Sequence, residues 1–182
     1  MKRTIVTPAA LAPAALAELK DWLGITTPGD DAQLAALLRA ALDLCEDFTG
    51  AMPLQQDCEE ILPLSPIWQV LRTRPVQAIT GLLGIPAEGA RFALSLTSYA
   101  IDLDGDGSGR VRIGNAGAAG RIAVRFTAGI APDWASLPEA LRHGVLRLAA
   151  FHYRQRETGG ETAMPPAAVA ALWRPWRRLR LA

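Results

Sequence analysis

The sequence has few cysteines and little net charge, and each shortage excludes a class of protein. Its two cysteines, Cys45 and Cys58, lie far apart and have no partners at metal-ligand spacing. They therefore predict neither a disulfide framework nor a cysteine metal site, and we expect both to be small core residues in a reducing cytoplasm. Nineteen basic residues against eighteen acidic ones leave a formal net charge of +1. This balance argues against a protein that coats nucleic acid in bulk.

Long apolar runs are also missing. None approaches the roughly 20 residues that span a bilayer, so no membrane segment is predicted. The Ala-rich start carries Pro13, Glu18, Lys20 and Asp21, which favours an amphipathic helix over a signal peptide. What the sequence does have is a hydrophobic content of 50% in 182 residues. That is enough to bury a core, so we expect one domain, or one domain with a sizeable insertion.

Residues 8 to 50 have the periodicity of two amphipathic helices. The first is expected to begin at Pro8 and to end at Gly24. The second is expected to be capped by Asp30 or Asp31 and to be followed by Gly50. Its apolar residues recur at steps of three and four: Leu34, Leu37, Leu38, Ala41, Cys45 and Phe48. The pair should form a helical hairpin that needs further apolar surface to be stable.

The middle of the chain has short apolar runs separated by Pro and Gly, which is typical of strands. The last run alternates clearly, with Ile122, Val124 and Phe126 on one face. Strands are predicted at residues 59–64, 70–72, 76–83, 91–96, 99–103, 110–113 and 121–127.

Helical patterns return near the carboxyl end. Ser136 and Glu139 have capping-box spacing, with Pro138 in the first turn, so a helix should begin there and stop before Gly159. A shorter helix is predicted from Pro165 and should end at a later proline, at position 175.

These patterns predict an α+β fold, a bundle of about four helices with an inserted small antiparallel β-sheet or barrel module. Residues 1–53 would form an N-terminal helical hairpin, and residues 54–130 the inserted β module. Residues 131–182 would complete the bundle and carry a basic Trp/Arg tail. Because the module interrupts the bundle, its two ends should lie close together.

One loop resembles half of a calcium site. Asp102, Asp104 and Asp106 alternate and precede Gly107, as in the first half of such a loop, but the twelfth position holds Ile113 where a bidentate acid is needed. We therefore predict an Asp-Gly hairpin turn between two strands, with no metal and no cofactor.

No catalytic constellation stands out. His143 and His152 lie nine residues apart on one helix, on nearly opposite faces, so they cannot share a metal or a proton. Cys45 lies in the middle of an apolar stripe and is expected to be buried and unreactive.

The carboxyl end is the strongest candidate for a functional site. Four arginines and two tryptophans fall within a few residues, a combination that anchors protein interfaces and can meet phosphate. The candidate partner-binding residues are Trp173, Arg174, Trp176, Arg177, Arg178 and Arg180. The alternative is a solvated helix end with Trp173 packed in its own core.

Several segments, in serial order, resemble one protein family. They are residues 19–23, 31–50, 74–79, 99–102, 124–129, 137–142, 152–157 and 165–175, which together span nearly the whole chain. The chain resembles the head-to-tail connector, or adaptor, proteins of long-tailed phages, prophages and gene transfer agents. None of these segments is a catalytic signature.

The resemblance implies a structural subunit at the head-tail junction of a particle made in the bacterial cytoplasm. It implies a dodecameric ring of identical copies, docked on the portal protein and met on the other side by a tail-side stopper or tail terminator protein. DNA would pass through the central channel, and no membrane would be involved. The Trp/Arg tail would dock on the portal or line the channel mouth.

Two other classes stay open. One is a nucleic-acid-binding module that acts through the Arg-rich carboxyl end, for which steep salt dependence of DNA affinity would be diagnostic. The other is a small enzyme built around the Asp loop, which would require a measurable activity or metal binding.

Overall fold

The chain folds into two compact units, and each is described by itself. The computed structural model describes residues 3–155 and 165–177. The sheet unit comprises Met1–Ala9 and Gln55–Gly129, and the helical unit comprises Ala10–Leu54 and Ile130–Ala182. Within the described ranges, no helix is both long and apolar enough to cross a membrane.

The helical unit contains the four helices of the described chain. They are α1 (Pro13–Leu23), α2 (Asp31–Thr49), α3 (Glu139–Gln155) and α4 (Ala167–Trp173). Its core is formed by the apolar stripes of these helices, including the fully buried Leu19, Leu34, Leu38, Leu141 and Leu148. Leu34 and Leu38 lie four residues apart on α2, and Leu141 and Leu148 lie seven apart on α3, so each pair falls on one face of its helix.

Glycines end the first two helices as predicted. Gly24 and Gly50 follow α1 and α2 with φ angles of 71° and 73°, in the left-handed region that glycine adopts without steric cost. The start of α1 was predicted wrongly, because the helix begins at Pro13 and not at Pro8. Both prolines can occupy a first helical turn, and the Ala-rich stretch between them does not favour one over the other.

Side chains near the helix starts make other contacts than the predicted caps. Asp30 occupies the cap position of α2 but makes no side-chain cap, and its carboxylate accepts a 2.6 Å hydrogen bond from the Tyr153 hydroxyl. The capping-box pattern predicted a start just after Ser136, with Pro138 inside the first turn, but α3 begins at Glu139, whose carboxylate accepts from Arg142 at 2.6 Å. The Ser136 N–H donates to the Asp133 carboxylate at 2.8 Å, and this bond lowers the pKa of Asp133.

The carboxyl boundary of α3 is described as far as Gln155. The predicted stop before Gly159 lies outside the described residues.

The sheet unit consists of two open antiparallel sheets. The larger has the strand order β1-β2-β8-β4-β5 and the smaller the order β3-β7-β6. The strands are β1 (Arg3–Thr7), β2 (Gln56–Pro63), β3 (Gln69–Val70), β4 (Val76–Pro86), β5 (Phe92–Ala93), β6 (Tyr99–Leu103), β7 (Gly109–Ile113) and β8 (Ala119–Ala128). The α+β class is thus confirmed, whereas the barrel alternative is wrong, because neither sheet closes on itself.

Seven of these strands coincide with predicted ones. The alternation in β8 is confirmed, since Ile122, Val124 and Phe126 are buried while Arg125 points to solvent. β1 was not predicted. It pairs with β2, with Arg3 opposite Glu60.

Two glutamates lie inside the sheet unit. Glu60 is 1% exposed, and its carboxylate accepts from the Thr73 N–H at 2.9 Å, the Thr73 hydroxyl at 2.7 Å and the Arg72 N–H at 3.1 Å. The neighbouring Glu59 accepts from Arg91 at 2.7 Å and from Arg125 at 3.3 Å. Each buried carboxylate therefore has the donors that its burial requires.

The chain passes between the units three times, and the helical-unit segments next to the second and third passages, residues 52–54 and 130–131, run side by side. The Ile130 N–H donates to the Met52 carbonyl at 2.9 Å, and the Ala131 N–H to the Pro53 carbonyl at 3.1 Å. Leu54 and Ala131 form a parallel bridge.

Candidate interaction surface at the C-terminal helix

The predicted partner-binding residues lie on and just after α4. The helix spans Ala167–Trp173, and Pro166 precedes it with extended backbone. A single 3-10 turn, Arg174–Trp176, follows, with Pro175 inside it. Proline fits the first turn of a helix but cannot extend α4, so the helix tightens into the 3-10 turn and ends there.

Trp173 is an internal residue. Its side chain is 0% exposed, and its indole N–H donates to the Leu141 carbonyl at 3.4 Å. A tilted contact of 6.0 Å between ring centroids joins it to Phe48 on α2. α4 is thus held by a tryptophan that reaches two other helices.

Gly144 provides the space that this tryptophan needs. A Cβ added at position 144 would lie 2.1 Å from the indole nitrogen of Trp173 and 2.8 Å from a ring carbon. Any side chain at this position would therefore overlap the indole. The one signal for this in the sequence is a glycine in the middle of an apolar helix, where it costs about 1 kcal/mol relative to alanine and usually has a packing reason.

Other predicted residues face solvent. Arg174 and Arg177 are exposed, and Trp176 is 37% exposed. The Arg177 guanidinium lies 5.4 Å from the centroid of the Phe48 ring, a cation–π distance. Phe48 therefore contacts both Trp173 and Arg177, a role that the sequence reasoning did not assign to it. Arg178 and Arg180 lie outside the described residues.

This arrangement can bind but has no reactive group. Two arginines supply fixed positive charge and planar hydrogen-bond donors, and Trp176 supplies an exposed aromatic face. Such a surface suits an acidic protein partner or a phosphate backbone.

The aspartate loop is a hairpin turn, as predicted. It joins β6 to β7, and the Asp104 N–H donates to the Ser108 carbonyl at 2.9 Å. Asp104 contacts Arg110, and Asp106 accepts from the Ser108 N–H at 2.8 Å. Across the described part of the chain, no group of three or more His, Cys, Asp or Glu is placed to hold a metal ion.

The two histidines contact different aromatic residues, and the two cysteines form no disulfide. His143 makes an edge contact with Trp22, at 5.2 Å between centroids, and His152 packs against Phe151 at 5.8 Å. Both cysteines are buried, as predicted. Burial, with a smaller contribution from Glu46, raises the pKa of Cys45 from its ordinary value of 9.0 to about 12, so the thiol stays protonated near neutral pH.

Comparison with solved structures gives end-to-end matches. A chain in the neck of an empty gene transfer agent (GTA) particle, computed with C6 symmetry, has a TM-score of 0.79 and 28% sequence identity, covering 100% of this chain and 98% of that chain. A chain in the virion of a native GTA particle has a TM-score of 0.75 and 30% identity, with coverage of 100% and 98%. A chain in the neck of a native GTA particle, computed with C12 symmetry, has a TM-score of 0.74 and 29% identity, with coverage of 98% and 97%.

No protein-family model and no curated protein matches the chain. Fold, length and identity to these chains define a structural component of the neck of a phage-like particle. The chain belongs to the family of head-to-tail connector proteins of phages and gene transfer agents.

Proposed function

We propose that the chain is a non-catalytic connector subunit that forms a ring between the portal and the tail of a phage-like particle, with DNA passing through the channel of the ring. The observation that carries this proposal is the match over the full length of chains from GTA necks, at 28–30% identity. The protein would be made in the bacterial cytoplasm and would act at the head-tail junction.

The ring is supported by the symmetry of the matched particles. One neck was computed with C6 symmetry and another with C12 symmetry. We propose twelve copies of this chain, each using two unlike surfaces to contact its two neighbours, since only unlike surfaces close a cyclic ring of this size. Native mass spectrometry of assembled rings would count the copies.

The portal contact is assigned to the carboxyl end. In this proposal Arg174, Trp176 and Arg177 touch the portal, with Arg178 and Arg180 following them in sequence. Trp173 has a different role, because it is buried and so holds α4 in place. The tail-side stopper or terminator protein would bind elsewhere on the ring.

The portal contact can be tested by reversing charge. In Arg174→Glu/Arg177→Glu we expect at least about tenfold fewer heads joined to tails, which corresponds to a loss of about 1.4 kcal/mol in docking. Joined and unjoined heads would be counted by electron microscopy. Because Arg177 also lies over Phe48, the thermal stability of the variant would be measured, and Trp176→Ala would serve as a second variant that leaves this cation–π contact intact.

A matched control reverses the same charge elsewhere. Arg39 and Arg147 are exposed arginines on α2 and α3, and Arg39→Glu/Arg147→Glu should join heads normally. Equal joining by the two double variants, with Trp176→Ala also normal, would refute the portal assignment.

The nucleic-acid-binding alternative makes a different prediction. A module of that kind would bind free DNA with an affinity that falls steeply with salt. The connector needs no such affinity outside the particle, so a salt titration of DNA binding by the purified chain separates the two functions.

A further inference from the structure

Two strands at the open margins of the sheets are longer than the other edge strands, β3 and β5. β1 is the first strand of the five-stranded sheet and β6 is the last strand of the three-stranded sheet. Each is five residues long. Among the described strands, β1 pairs only with β2 and β6 pairs only with β7. Each therefore presents one row of backbone donors and acceptors that can receive another strand.

Both margins carry apolar side chains on the core side of their sheet. Ile5 lies opposite Cys58, which is buried, yet Ile5 is 41% exposed. Ile101 lies opposite Val111, which is also buried, yet Ile101 is 45% exposed. Residues opposite each other in a ladder share a face, so each isoleucine continues a buried face beyond the point where the core ends.

The devices that prevent edge pairing are few at both margins, which carry one charged residue each, Arg3 in β1 and Asp102 in β6, and one bulge, in β1. Lysine and proline are absent from both strands, and β6 pairs with β7 without a bulge from Tyr99 to Leu103. The register shift in β1 falls after Ile5, so the ladder is regular from Arg3 to Ile5.

The two margins lie toward opposite sides of the sheet unit. β1 is at one end of the order β1-β2-β8-β4-β5, and β6 contacts β4 near the other end.

We propose that β1 of one copy pairs antiparallel with β6 of the next copy around the ring, with Ile5 opposite Ile101. This register joins the two core faces and places Thr4 opposite Asp102 and Arg3 opposite Leu103. The proposal rests on the ring of the proposed function and names the surfaces that its neighbours use.

The pairing explains how copies associate in a ring and not in a simple pair. The two edges that pair, β1 and β6, are different strands of one copy, so each copy can bind two neighbours at once. A two-fold dimer would instead bring identical edges together.

The contact can be trapped by a disulfide between copies. Directly opposite residues in a ladder have Cα atoms about 4.5–5.5 Å apart, within the range that a disulfide spans. In particles carrying Ile5→Cys/Ile101→Cys, oxidation should give a ladder of covalent multimers on a non-reducing gel. The native Cys45 and Cys58 are 0% and 1% exposed, so they should not contribute.

Controls that move or remove one of the two cysteines test the assignment. Leu96 lies just before β6 and is 80% exposed, and Ile5→Cys/Leu96→Cys should give no ladder. A mixture of Ile5→Cys chains with Ile101→Cys chains should stop at covalent dimers, and Ile101→Cys alone should give none. As a test without cysteines, Ile101→Lys should abolish rings in native mass spectra, whereas Leu96→Lys should keep them.

The outcomes separate this inference from the function on which it rests. If particles contain the chain but the paired cysteines give no ladder, or if Ile101→Cys alone forms dimers, the strand pairing is wrong and the connector function stands. If purified particles lack the chain altogether, the proposed function fails and the pairing fails with it.

Discussion

The helical unit and the sheet unit have interiors of different chemical character. In the helical unit the largest fully buried side chains include Trp134 and Trp173, which are fitted among leucines. In the sheet unit two carboxylates, Glu59 and Glu60, are buried and bonded by backbone and side-chain donors. The first interior depends on complementary shape, and the second, which is otherwise apolar, also depends on satisfied polar groups. A comparable loss of stability should therefore come from a cavity in the helical unit and from unsatisfied hydrogen-bond donors in the sheet unit.

The largest effect is expected from the tryptophan of the helical unit. Trp173→Ala should lower the free energy of unfolding by about 3–5 kcal/mol, because it leaves a cavity under α4. Chemical denaturation of the full chain would measure this loss. Trp176→Ala, three residues further along at the end of the 3-10 turn, is the control and should cost less than about 1 kcal/mol, since Trp176 is partly exposed.

The shape argument has an internal check at Gly144. Alone, Gly144→Ala should cost about 1–3 kcal/mol by overpacking, because the new Cβ would overlap the Trp173 indole. Added to Trp173→Ala it should cost nothing. Equal costs in both backgrounds would show that this glycine is not there for the tryptophan.

In the sheet unit the expected loss is smaller and polar in origin. Glu60→Ala should cost about 2–4 kcal/mol, since it leaves the N–H and hydroxyl donors of Thr73 without their acceptor inside the protein. Asp57→Ala removes an exposed carboxylate from the same strand and should change stability by less than about 0.5 kcal/mol. Equal free energies of unfolding for the two variants would contradict a stabilising role for the buried Glu60 carboxylate.

The smallest effect depends on pH and returns to the helical unit. The folded-state pKa of Cys45 is raised, so its contribution to stability is fully present below 9.0 and is lost as pH rises toward about 12. At pH 10 the loss should be about 1.4 kcal/mol, from one pH unit above the unfolded value. Denaturation at pH 8 and pH 10 would show it as a difference between the wild type and Cys45→Ala, whose own stability lacks this dependence.

Strong periodicity made most of the elements predictable from the sequence. β8 alternates so regularly that its buried face could be assigned from Ile122, Val124 and Phe126. The leucine spacing of α2 and the glycine after it determined that helix in the same way. These elements were predictable because burial acts on one face of each.

Features that depend on distant partners were not predictable. β1 is exposed along its whole length, so it lacks the pattern of a half-buried strand and is defined by its pairing with β2. The glutamate of the α3 capping-box pattern and Asp30 at the start of α2 instead bond to Arg142 and Tyr153. At the candidate site, composition found the arginines and tryptophans. Composition could not show that Trp173 is buried and Trp176 partly exposed, because the burial of Trp173 depends on the space that Gly144 leaves beside it.

The pairing of β1 with β2 also bears on how the protein is made. Arg3 leaves the ribosome before α1 and α2, but its ladder partner Glu60 follows only after both of these helices have been synthesised. Those helices need only local contacts and can form during translation, whereas the first strand must wait. β1 is thus among the last elements to find its place, and until then Ile5 and Val6 are open to premature association.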